Sequence, residues 1–495
     1  MLAGSALSFT ACKTDNGGTK PLDPWVKENA PDYSAASGVM TKYTYAAPGN
    51  GVYTIDGISY HVTDEEGNEL TFQTEEKYRE YKDCGFDVIM LDADYAYNGE
   101  DFETSRVKEL LDLCEKVGLK AIMFDNRIYQ LSRTETSIVG SGRRFTTQRH
   151  LERYIEECMS EYAEHPAFYG LLLRDEPNYK MLPQIGAVYK AIKAVRPKCF
   201  AQCCLLPLSD GSTYTLYKEG ATSSTVLSAY KWYVEEFLKQ TEADYVMTDS
   251  YPMESPSGQN VIKPLHLKGM QIITEIANKY GADFQMCIQS FSMKTKNVRK
   301  HRSCTEEDMY WQWYVSLGMG AKEISYFTYQ RKKNSTSAGE YFDDGTSFIS
   351  SSGEKTPLYT WVRDLHSELQ GLISVVLNFE YKGMATYVGK PAPCNIGFLN
   401  GINDDEFAKI EEVTVSDGSV LMITEMYDEA KNQYGYMIIN VADPSVKASV
   451  TAKVNFGNSR AVSVYDRSVN TLYQLDGNAY EVTLSAGQGV FVLPY

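Results

Sequence analysis

Carboxylates, amides and aromatic rings recur at one kind of place in this chain, directly after a run of apolar residues. FYGLLL ends in Arg174-Asp175-Glu176-Pro177-Asn178, VIML in Asp92-Ala93-Asp94-Tyr95, and KAIMF in Asp125-Asn126-Arg127. ADYVMT ends in Asp249-Ser250-Tyr251-Pro252, DFQMCI in Gln289-Ser290-Phe291, and EISYF in Thr328-Tyr329-Gln330. A buried strand has no structural need for charges at its tip. One such Asp is equally well a helix cap, since a carboxylate there accepts backbone N–H groups. So many tips of the same kind describe a site. Two carboxylates in one cleft can split a glycosidic bond, one protonating the leaving oxygen and the other acting as nucleophile or as base for water. The acid must then stay protonated near neutrality, through burial or a neighbouring anion.

The elements that would position these tips alternate along the chain. Helical stretches at 74–85, 105–118, 149–166, 182–197, 232–241, 267–281 and 305–320 each lead into an apolar strand, at 86–95, 119–129, 168–177, 198–208, 243–252, 282–292 and 321–330. Strands alternating with helices imply parallel βαβ units. Continuous apolar runs are what strands buried on both faces show. A first strand within 42–60 brings the count to eight, a (β/α)8 TIM barrel, whose site lies at the C-terminal strand ends. An open doubly wound sheet is the alternative, but the chain has no GxGxxG or GxxxxGK phosphate loop. Beyond about residue 380 short strand-like runs separated by turns predict an all-β sandwich. The expected domains are a lipoprotein signal remnant and linker at 1–35, the barrel at 36–380 and the sandwich at 381–495.

Composition narrows the partners. The net charge of −17 argues against nucleic acid, which is held mainly by Lys and Arg. It also repels anionic substrates unless a local basic pocket intervenes. No apolar run is long enough to span a membrane. The opening MLAGSALSFTAC, followed by the polar KTDNGGTKP, resembles the end of a bacterial lipoprotein signal, with Cys12 as the lipidated residue; the charged leading region of such a signal is missing here. The expected location is a bacterial cell envelope, with membrane contact only through that anchor. The other nine cysteines form no CxxC pair and several sit in apolar runs, so neither a disulfide framework nor a zinc site is expected. Six histidines without HExxH spacing imply no metal. No cofactor is implied.

YGLLLRDEPN resembles the fourth-strand segment of clan A (β/α)8 glycoside hydrolases, whose acid/base Glu ends that strand. WQWYVSLGMGAKEISYFTYQ is similar to their eighth helix and strand, and GQGVFVLPY to the last strand of the β-sandwich that often follows, as in β-galactosidase-like enzymes. The resemblance carries the proton-donor role to Glu176. The family's nucleophile is a Glu ending strand seven, where this chain has Gln289. Three accounts stay open: a nucleophile from another register or a loop, Asp249 as the second carboxylate with a water between it and Glu176, or a barrel that binds glycans without cleaving them. The expected substrate is a neutral oligo- or polysaccharide. Asp92, Asp125, Asn126, Asn178 and Gln289 would orient it by hydrogen bonds, and Tyr251 and Tyr329 by stacking. Glu176 shares its strand parity with Arg174, so a Glu176 facing the axis would place Arg174 below it, paired with an inward carboxylate.

Overall fold

The computed structural model describes residues 24–29, 33, 36, 38–55, 58–64, 66–91, 104–209, 212–295, 298–330, 340–393, 395–467, 470–475 and 477–495. The chain divides into two compact units. One holds 41–304 and 323–363; the other holds the described residues up to 40, 305–322 and 364–495.

The first unit is built on eight parallel strands: β1 (Thr41–Thr44), β2 (Val88–Met90), β3 (Lys120–Met123), β4 (Phe168–Asp175), β5 (Phe200–Leu205), β6 (Tyr245–Asp249), β7 (Asp283–Gln289) and β8 (Ala321–Phe327). Their order is β1-β8-β7-β6-β5-β4-β3-β2. Two backbone bonds bring the outer edges together: the Asp87 N–H donates to the Lys42 carbonyl at 3.0 Å and the Ala47 N–H to Met90 at 3.3 Å. The sheet is thus a nearly closed barrel, as the strand–helix alternation predicts.

Helices α1 (Glu75–Asp83), α2 (Thr104–Val117), α3 (Gln148–Met159), α4 (Leu182–Val195), α5 (Val226–Thr241) and α6 (His266–Tyr280) connect the strands. Their limits follow local chemistry. Thr74 and Thr147 accept N–H bonds from Lys77 and His150 at the starts of α1 and α3. Gly281, at φ +66°, ends α6. One expectation fails here: 126–129 is not strand. Asp125 caps a short helix, Asn126–Ser132, at the end of β3.

Loops after β6, β7 and β8 contribute to a five-stranded antiparallel sheet, ordered 261–262, 253–254, 298–301, 293–295 and 340–342. This small sheet forms one wall of the site described below.

The second unit is a β-sandwich. Six antiparallel strands, in the order 380–388, 420–428, 433–440, 489–494, 461–465 and 470–474, face three, in the order 412–415, 450–455 and 479–484. Leu421, Ile423, Ile438 and Val492 from the larger sheet share one core with Val450, Val454 and Leu484 from the smaller. Helix α7 (Glu306–Gly318) packs on this unit: the Trp311 indole donates to the Val441 carbonyl at 3.1 Å, and a Cβ at Gly318 would meet Thr424 Oγ1 at 3.1 Å.

Candidate active site

β4 sets the geometry. Gly170 lies so close to β5 that a Cβ would meet the Phe200 carbonyl oxygen at 2.1 Å. Above it the register slips: Leu172 pairs with Gln202, but Arg174 pairs with Cys203 and Asp175 with Cys204. Leu173 is the extra residue of a bulge, which reverses the alternation of faces. Arg174 consequently lies on the helix side, 4.9 Å over the Tyr129 ring, and Asp175 takes the inward position. The parity argument that put Arg174 beneath Glu176 is corrected by this one inserted residue. Glu176 then leaves the strand in a left-handed conformation, φ +44°, held by its N–H to the Cys204 carbonyl at 2.9 Å. Its side chain is exposed.

Asp249 ends β6 in a very different setting. It is 6% exposed, and its Oδ1 has no hydrogen-bond partner among the described residues. Burial raises its pKa well above the carboxylate range, and the charges of Glu176 and Asp175 raise it further; the Tyr251 hydroxyl and Lys263 oppose them. Asp175 is pushed up to about 7, by burial first and Glu176 second. The Tyr45 hydroxyl donates to Asp175 at 3.4 Å, and the Gln202 amide donates to Tyr45 at 2.9 Å. Three carboxyl groups thus crowd the barrel mouth, and like charges at short range hold protons among them.

Glu176 and Asp249 line one cleft of about 600 Å³. Tyr251, Phe291 and Phe327 form its aromatic side. Tyr251 sits 4.9 Å from Phe291, edge-on, and 5.7 Å from Phe327. Glu254, Lys263, Lys300 and His301, from the small sheet and its connections, form another side. The peptide between Phe327 and Thr328, at the end of β8, is cis.

Of the residues expected to act here, Glu176, Asp249 and Tyr251 come together. The others have different work. Asp125 is 1% exposed; it caps the 126–132 helix and receives the Arg127 guanidinium at 2.8 Å and the Tyr162 hydroxyl at 2.9 Å. Asn126 accepts from Gln130. Asn178 caps the short turn at 179–181 and donates to Glu135 at 2.8 Å. Tyr329 packs against Tyr81, Phe86 and Phe348. Gln289 is fully buried, and its amide donates to the carbonyls of Phe291 and Arg302 at 3.1 and 3.0 Å and accepts the Met253 N–H at 2.9 Å. None of these five lines the cleft; their side chains are spent on caps, packing and a backbone clamp. Asp92 and Cys12 lie outside the described residues.

Sequence reasoning missed Tyr45, Gln202, Lys263 and His301. Gln202 alone carried a signal, a polar residue inside the apolar run of β5. The other three reach the mouth through loop and sheet pairings that no local pattern reports.

No family model matches the chain, and no curated protein matches it. Among solved structures it is similar to an alpha-amylase from Anoxybacillus, at 11% identity over 92% of this chain and 97% of that one, with a TM-score of 0.48. It is also similar to an endo-alpha-mannosidase from Bacteroides thetaiotaomicron, at 14% identity over 66% and 97% of the two chains, TM-score 0.37. A third is an endoglucanase from Pseudomonas stutzeri, at 12% identity over 66% and 96%, TM-score 0.37. The fold itself, a (β/α)8 barrel followed by an antiparallel β-sandwich, stands on the strand order and register above.

Proposed function

We propose that this chain is a glycosidase in which Glu176 and Asp249 cleave the glycosidic bond of an oligo- or polysaccharide. The observation that carries the reading is the pairing of an exposed and a buried carboxyl group in one aromatic-walled cleft of about 600 Å³. Glu176 reaches the open side, where a leaving oxygen would lie. Asp249 sits deeper, beside the Tyr251 hydroxyl.

The cluster keeps a proton near neutrality. In the open cleft burial holds that proton on Asp249. Cleavage needs that proton on Glu176 instead, within the same coupled cluster. The proton then moves to Glu176, and Tyr251 and Lys263 stabilise the Asp249 anion. Glu176 donates to the leaving oxygen while Asp249 takes a proton from the attacking water, which inverts the anomeric centre. Gln289 takes no part, because its amide is spent on backbone contacts.

The test is hydrolysis over a panel of oligosaccharides, with the anomer of the first-formed product read by NMR. Glu176→Gln and Asp249→Asn should each lose roughly 10²- to 10⁴-fold in kcat while still binding sugar. Wild-type speed in either variant removes that residue from the mechanism. A second reading is favoured by the committed Gln289, which leaves β7 without a carboxylate: a barrel that binds glycans and cleaves none. Binding without hydrolysis by the wild type selects it.

A further inference from the structure

The cleft has one wall that a neutral sugar does not need. Lys263 follows the short strand 261–262, which pairs with 253–254; His301 lies opposite Glu254 on the next strand, 298–301, and Lys300 precedes it. All three side chains line the cleft. Lys263 is partly buried, yet its ammonium makes no ion pair or side-chain hydrogen bond among the described residues. His301 is 4% exposed, and its Nδ1 has no hydrogen-bond partner among the described residues. Burial and the charges of Lys300 and Lys263 push its pKa down to about 3, so both ammonium groups lie within electrostatic reach of one neutral imidazole. A half-buried ammonium with no direct ion pair and a buried ring nitrogen with no hydrogen bond, both among the described residues, are each unfavourable alone. Both are relieved by the same thing, an anionic oxygen placed among them. Glu254 lies on the same side, so this wall sets two ammonium groups against one carboxyl: in a chain of net charge −17, a local excess of positive charge of the kind an anionic substrate requires.

We propose that Lys263, Lys300 and His301 form a subsite for an anionic substituent on the sugar, a uronic carboxylate or a sulfate ester, so that the substrate is an acidic glycan. This rests on the glycosidase reading for the turnover step, but not for binding. Lys263 would donate a charge-assisted hydrogen bond to the anion, and His301 would complete it through Nδ1–H. The competing role for Lys263 is to stabilise the Asp249 anion alone, which would affect neutral and acidic substrates alike.

The experiment measures binding and hydrolysis separately, for three matched oligosaccharide sets: neutral, uronosyl and sulfated. Binding is measured by calorimetry with the full chain carrying Glu176→Gln, and hydrolysis with the wild type. The expected result is at least tenfold tighter binding of one acidic set over the neutral one; which set wins separates carboxylate from sulfate. Lys263→Met should collapse that preference at least tenfold, with thermal unfolding unchanged, and Lys300→Met should weaken it less. Equal binding of neutral and acidic sets overturns the proposal, as does a Lys263→Met loss in kcat that is the same for both. Acidic binding without hydrolysis leaves the subsite standing and removes the glycosidase reading. Hydrolysis of neutral glycans with indifference to charge does the reverse.

Discussion

Asp175 is the residue through which the carboxyl cluster is tuned. It does not line the cleft, but its charge raises the pKa of Asp249, and its own pKa is pushed up to about 7. Replacing it with Asn removes one of the two anions acting on Asp249 while leaving the side chain's shape. The proton held by the cluster is then released at lower pH. The alkaline limb of the kcat/KM profile, which reports loss of the protonated acid, should move to lower pH in Asp175→Asn. A profile that keeps its alkaline limb would show that Asp175 is too far away, or too well screened, to act. At this scale the sequence was partly legible. Glu176, Asp249 and Tyr251 announce themselves because polar residues follow apolar runs. Asp125, Asn126 and Asn178 send the same signal for another reason: Asp and Asn at a strand end also start the next turn or helix, and their side chains are spent there.

The element most at stake is the small antiparallel sheet over the barrel mouth. It has few strands and little core of its own; Phe291, Met293 and Phe342 form a satellite cluster. Gln289 ties it down, joining the tip of β7 to Met253, Phe291 and Arg302. Gln289→Leu keeps the volume but leaves buried backbone donors and acceptors unpaired, at roughly 1–3 kcal/mol each where no water replaces the bond. A loss of about 2–4 kcal/mol in urea unfolding is expected. Faster amide exchange at Met253 should accompany it, because that N–H bonds to Gln289 Oε1. Slow exchange at Met253 in the variant would mean the sheet stands without the clamp. Lining residues such as His301 and Glu254 are carried by this sheet, so the variant should also weaken sugar binding. Its existence was not legible in the sequence. Its strands are two to four residues long and come from separate loops, with no period for a pattern to hold. The β4 bulge is equally silent, since one inserted Leu among Leu residues changes no composition yet moves every later side chain to the opposite face.

At the scale of the whole chain, the alternation of helix and apolar strand gave the barrel because each unit repeats the same demand for burial on both strand faces. The sandwich followed from the change of period beyond residue 380. The apolar reading of the barrel strands has one exception with a measurable consequence. Glu323 sits in β8, opposite Thr41 of β1, with 7% of its surface exposed. Its Oε1 has no hydrogen-bond partner among the described residues. Its charge is felt at Tyr43, Tyr169 and Tyr245, so it lies among tyrosines in the barrel interior. Burial, and secondarily Asp283, push its pKa up to about 8. A carboxyl whose folded pKa exceeds its unfolded value stabilises the fold in acid, and that contribution is lost as pH rises through the folded pKa. The window here runs from about 4.5, the ordinary Glu value, to about 8. Across it the barrel should lose on the order of 5 kcal/mol from this group alone. Glu323→Gln carries no titrating proton at that position. It should match the wild type below pH 4.5 and become progressively more stable than it up to about pH 8, with no further gain above. Urea midpoints at pH 4, 6, 8 and 9 measure this directly. A wild type and variant that run parallel across the series would place Glu323 in contact with water, and its carboxylate would then be ionised in the folded barrel at neutral pH.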